Sequence, residues 1–152
     1  MNIAALSLWE PWASLMRCGA KTIETRTWPT SYRGPLLICA AKRWTRSQYD
    51  YLYSVPVQNA FWKVTGRTPT AATALLIGKA GCIVNMTQCL ATGSIGCATP
   101  AGERVYRDRH FGDYTCGRFA WFTNDLRADF EPFPVTGQQG LFQVELPEGI
   151  TL

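Results

Sequence analysis

The chain has a single histidine, His110, and none of its six cysteines falls in a C-x-x-C pair. Zinc sites draw on such pairs or on His/Cys clusters at short spacing, so the composition argues against a metal centre; neither metal nor cofactor is expected. Charge is also scarce: 15 Lys and Arg against 11 Asp and Glu leave +4. Dedicated nucleic-acid binders concentrate their cations, and the one locally basic run, Arg104-Val105-Tyr106-Arg107-Asp108-Arg109, reads most simply as a solvated loop face. An RNA partner is permitted by this balance but not demanded. No apolar run approaches the roughly 20 residues that span a bilayer, so no membrane partner is expected. Met1-Asn2-Ile3 opens without the basic n-region and apolar stretch of a secretory signal. The expectation is a cytoplasmic protein whose free thiols serve as small apolar filler. Neither a repeat nor a linker interrupts the sequence, so one domain over residues 1–152 is expected.

What is present is 47% hydrophobic content in short patterned segments. Ile3 to Leu8 is a β-type run, and Pro11 suits the first turn of a helix carrying Trp12, Leu15 and Met16. Gly19 fits the left-handed residue that ends such a helix. Thr22 to Trp28 alternates and is β-branched, which predicts a strand with Glu24, Arg26 and Trp28 on one face. Pro35 to Ala40 predicts a buried strand, and Arg46 to Thr65 has helical character broken at Pro56. Thr73 to Gln88 reads as a long strand kinked or bulged at Gly78 and Gly81. Thr92 to His110, rich in Gly, Thr and Arg, reads as an extended loop, and Gly117 to Thr123 and Leu141 to Leu146 as closing strands. The sum is an α+β domain on a small closed β-barrel of five to six strands, with helices in the connections.

The densest chemistry lies in Gly19-Ala20-Lys21-Thr22-Ile23-Glu24-Thr25-Arg26, flanked by Trp9 and Trp12 on one side and Trp28 on the other. Three strong charges at one junction form either an exposed ion-pair network of little energetic weight or a site. The tryptophans favour a pocket. Trp9 and Trp12 bracket Pro11 and could be core or a stacking platform for a planar base; Ser7 could face a base edge or bond to backbone. His110 is most simply a loop residue, and Arg118 a support for the Gly117 turn.

This octapeptide resembles the G-x-K-x-x-E-x-R signature of the ASCH domain family, which has a PUA-like β-barrel. Further blocks are similar to the same family: Ser7-Leu8-Trp9-Glu10-Pro11-Trp12-Ala13, Tyr32-Arg33-Gly34-Pro35-Leu36-Leu37-Ile38, Phe111-Gly112-Asp113-Tyr114 with Gly117-Arg118-Phe119-Ala120-Trp121, and Gly137-Gln138-Gln139-Gly140-Leu141. The resemblance implies an RNA-related role or, as in some small members, an amidohydrolase that deacylates N4-acylated cytosine nucleosides such as N4-acetylcytidine. In those members the motif lysine is catalytic with a threonine three residues on; here Lys21 is kept and Glu24 stands at the threonine's place. The resemblance implies Lys21, Glu24 and Asp113 as catalytic residues, with Glu103 and Asp108 as rivals to Asp113. It implies Ser7, Trp9, Pro11, Trp12, Arg26 and Tyr114 as substrate-binding residues, and a small modified nucleoside as the partner.

Amide hydrolysis needs a base, an oxyanion donor and an acid for the leaving nitrogen. Burial and Arg26 would push the Lys21 amine toward neutrality, and Glu24 would oppose this. In one scheme a neutral Lys21 is the base or nucleophile, and the lysine's central role in the family favours that one. In the other a charged Lys21 stabilises the oxyanion while Glu24 activates water. A non-catalytic RNA-binding module and a ribonuclease are the alternatives.

Overall fold

The computed structural model describes residues 1–70 and 75–152; the expected start of a strand at Thr73 lies outside them. Among the described residues seven strands and four α-helices follow in the order β1 (Asn2–Leu8), α1 (Trp12–Arg17), β2 (Ile23–Arg26), β3 (Gly34–Ala40), α2 (Arg46–Leu52), α3 (Val55–Thr65), β4 (Lys79–Ala91), α4 (Pro100–Asp108), β5 (Phe119–Arg127), β6 (Phe133–Pro134) and β7 (Leu141–Glu145). The sheet runs β2-β5-β4-β3-β1-β7, with β6 pairing off β4. Among the described residues only β1 and β3 pair in parallel, in the register Leu6↔Ile38 and Leu8↔Ala40.

The α+β class is as expected, but the sheet stays open: among the described residues no main-chain pairing joins β2 to β7. A side chain spans the gap instead, since Arg26 on β2 donates from Nη2 to the Ser7 carbonyl of β1 at 2.7 Å. The expected barrel is therefore split along one seam.

The apolar strands are explained by burial on both faces. Ala4, Leu6 and Leu8 of β1 join Leu36, Ile38, Val84, Met86 and Trp121 on one side, where Ala13 and Met16 of α1 cover them. Ile3 and Ala5 join Leu37, Cys39, Ile83 and Phe142 on the other. Leu15 of α1 packs with Leu52, Val57 and Phe61 of the helical pair, broken near Pro56 as expected.

The expected loop from Thr92 to His110 is wrong over its second half, which is α4. Thr99 caps that helix, accepting from the Gly102 amide at 3.1 Å, and Pro100 occupies its first turn. Ala101 and Val105 then face Ile23, Ala120 and Phe122. That packing overrides the poor helix propensity of the glycine-bearing sequence.

Candidate functional site

The seam is a cleft of about 1130 Å³. Parallel pairing brings the C-terminal ends of β1 and β3 out at the same place, so Trp9 emerges beside Lys42 and Arg43. The Arg43 guanidinium lies 5.4 Å from the Trp9 ring centre. Antiparallel β7 begins opposite Leu6, which brings residues 136–140 to the same rim. Gly137 is packed so tightly that a Cβ there would stand 2.5 Å from Ser7 Oγ. Trp12 stacks on Tyr51 with ring centres 4.9 Å apart, and Trp28 meets Trp121 edge-on at 4.6 Å; all but Trp121 line the cleft.

Gly19, at φ +82°, turns the chain out of α1 and into β2. The turn carries Lys21 inward, where its side chain is 1% exposed. Its Nζ donates to the carbonyls of Ile23 at 2.5 Å and Phe111 at 2.7 Å, and lies 3.2 Å from Glu24 Oε2. Three acceptors match the three N–H donors of an ammonium and leave no free lone pair to act as a base. With its donors engaged in this way, Lys21 is placed neither as the base of the one scheme nor as the oxyanion donor of the other, and Glu24 is the member of the pair that faces the cleft.

Glu24 faces the cleft with its other oxygen 3.2 Å from Arg26 Nε. Lys21 is not itself part of the cleft wall; it lies behind Glu24 and fixes it. Ser7 Oγ is a buried hydroxyl with no hydrogen-bond partner among the described residues, whereas the Arg26 Nε faces Glu24.

Of the remaining expected site residues, Ser7, Trp9, Trp12, Arg26 and Asp113 line the cleft. Pro11 is buried beside the cis Glu10–Pro11 bond and does not reach it. Tyr114 lines a separate cavity against α4, its hydroxyl buried and without a hydrogen-bond partner among the described residues, and burial followed by the Asp108 and Glu24 charges pushes it far above the usual phenol range. Asp113 is exposed; the Thr115 hydroxyl and amide, with Arg118 beside it, hold its carboxyl below the ordinary value. Glu103 is exposed on α4, whereas Asp108 is buried and accepts from the Thr22 and Ile23 amides at 2.6 and 2.8 Å.

Lys42, Arg43, Tyr51 and the 136–140 rim were not among the expected site residues. The Lys42-Arg43-Trp44 triplet and the Gly137-Gln138-Gln139-Gly140 block were the visible signals; their meeting with β2 depends on strand order. Among the described residues no group of three His, Cys, Asp or Glu could hold a metal, and no helix is long and apolar enough to cross a membrane.

A family model described as the ASCH domain matches residues 6–94. No curated protein matches the chain. Among solved structures, the chain is similar to a mutant ASCH protein from Zymomonas mobilis at 14% identity and TM-score 0.50, covering 93% of this chain and 89% of that one. A second ASCH structure from the same organism gives 16% identity and TM-score 0.47, covering 93% and 87%. At such identities the likeness is one of fold. With more than half of its length matched by the family model and the signature Lys21, Glu24 and Arg26 gathered at one seam, the chain belongs to the ASCH domain family and has its PUA-like fold.

Proposed function

We propose that the cleft hydrolyses the amide bond of N4-acylated cytosine nucleosides such as N4-acetylcytidine. The observation that carries this reading is a carboxylate on the wall of an aromatic cleft, fixed from behind by a buried ammonium. Glu24 takes a proton from water, whose oxygen bonds to the acyl carbon. The bond from that carbon to N4 then breaks, the nitrogen takes the proton back from Glu24, and cytidine and a carboxylic acid leave. Trp9 and Trp12 offer faces on which a base can stack, a contact of about 1–3 kcal/mol. Ser7, whose hydroxyl has no partner among the described residues, suits a substrate carbonyl, and the Arg26 guanidinium beside Glu24 adds positive charge to the same wall.

Incubation with N4-acetylcytidine, followed by the ultraviolet change on release of cytidine, tests this directly. Glu24→Gln is expected to lower kcat/KM by about 10²–10⁴-fold, the usual contribution of a general base. Asp113→Asn is expected to keep most of the activity, because that carboxylate is committed to Thr115 and Arg118. The opposite ranking would remove Glu24 from the role.

One observation favours a second reading, single-stranded RNA binding without hydrolysis. The cleft exceeds the roughly 300–1,000 Å³ typical of small-molecule pockets. At its rim Lys42 and Arg43 form no ion pair among the described residues, and exposed Trp9 is overlaid by Arg43. This reading calls for an affinity that falls steeply with salt and for no turnover of any N4-acylcytosine.

A further inference from the structure

Asp108 sits where elementary electrostatics disfavours a carboxylate. It is the last residue of α4, at the negative end of the helix dipole, and only 3% exposed. Burial pushes its carboxyl up, against the amides of Thr22 and Ile23 and the charge of Lys21. A carboxylate kept in such a place raises the question of what it holds.

Its contacts answer that. The carboxylate accepts from Thr22 N at 2.6 Å, Ile23 N at 2.8 Å and Thr22 Oγ1 at 3.3 Å. Thr22 and Ile23 are the two residues between Lys21 and Glu24. The backbone carbonyl of Asp108 in turn accepts from Phe111 N at 2.8 Å, and the Phe111 carbonyl accepts from Lys21 Nζ. One residue therefore grips the chain between the two site residues and builds the turn that supplies an acceptor to the lysine. Arg104, one turn earlier on α4, reinforces the grip by donating to Thr22 Oγ1 at 3.1 Å and to the Thr123 carbonyl at 2.7 Å.

We infer that Asp108 is a positioning residue for the Lys21–Glu24 pair, acting through the backbone of residues 22 and 23 and the Phe111 turn without touching substrate. This rests on the hydrolytic reading, in which Glu24 must be held in line with bound water. Small misplacement of a base lowers turnover more than binding.

The test is Asp108→Asn, which keeps the side-chain shape but removes the charge and leaves one acceptor oxygen where two served three donors. With N4-acetylcytidine as probe, kcat is expected to fall about tenfold or more while KM changes less than about threefold. The ¹H–¹⁵N signal of the buried Lys21 ammonium, assigned by its loss in Lys21→Met, is expected in the wild-type protein and to broaden or vanish in Asp108→Asn. A folded Asp108→Asn protein with wild-type kcat and an unchanged Lys21 signal overturns the inference. If Asp108→Asn does not fold, Asp108→Glu keeps the charge but shifts the turn; the same losses are expected, and their absence counts against the inference equally. Should the wild-type protein deacylate no N4-acylcytosine, the hydrolytic reading fails, and the Lys21 signal alone judges whether Asp108 orders the pair.

Discussion

Removing the amine of Lys21 strands the buried carbonyls of Ile23 and Phe111, each of which accepts from it. Lys21→Met is thus expected to destabilise the fold by about 2–6 kcal/mol, at about 1–3 kcal/mol per unsatisfied group, in denaturant unfolding. The same residue holds structure and site together, so activity lost in such a variant must be read beside its stability. Glu10 makes a different prediction. It is fully buried, accepts from the Ser14 amide and hydroxyl and the Leu76 amide, and burial raises its pKa above 4.5. A carboxyl whose folded pKa is raised stabilises below the unfolded pKa and loses that contribution as pH rises through the folded one. The stability difference between wild type and Glu10→Gln should therefore shrink in the wild type's disfavour as pH climbs from about 4.5 toward neutral. A flat difference across that window, measured by chemical denaturation, would sink the assignment. The chemical character of Lys21 and Glu24 was legible in the signature. That Lys21 stands behind Glu24 was not, because a strand of four residues does not reveal what packs on its back.

Helix α4 is the element that pattern reading missed. The composition of residues 92–110 suggests a loop, yet Thr99, Pro100 and Glu103 form a start signal, and Ala101 and Val105 share a helical face. Gly102 offers a test of what wins there. Alanine is the better helix former by about 1 kcal/mol. A Cβ at that position, however, would lie 2.1 Å from the Gly96 carbonyl oxygen, which is backbone and cannot swing aside. Overpacking of this kind costs about 1–3 kcal/mol, so Gly102→Ala should lower stability despite its propensity gain. A rise in the denaturation midpoint would show that residues 96–97 yield freely. Because α4 ends in the Asp108 grip, the same variant should also lower turnover.

At the scale of the whole molecule, the family match ends at residue 94, but the fold does not. β5, from Phe119 to Arg127, lies between β2 and β4 and supplies the buried Trp121 and Phe122. A chain ending at Ser94 would leave β2, which carries Glu24 and follows Lys21, without its strand partner. Such a truncation is expected to show no cooperative unfolding transition by circular dichroism; a sharp one would mean that β2 can dock elsewhere. The open seam belongs to this scale too. Pairing of β2 with β7 would have closed the barrel, and the gap bridged by Arg26 is the space the cleft occupies.

Most of the strands (β6 and the bounds of β4 excepted), the α1 turn at Gly19 and the charged signature follow from local chemistry: alternation, β-branching, proline and glycine act over a few residues and can be read in order. The depth of Lys21, the meeting of Trp9 with Lys42 and Arg43, and the hold of Asp108 on residues 86 and 85 positions earlier were decided only by tertiary structure. Each joins segments distant along the chain, and their encounter depends on strand order and register, which no short stretch of sequence encodes.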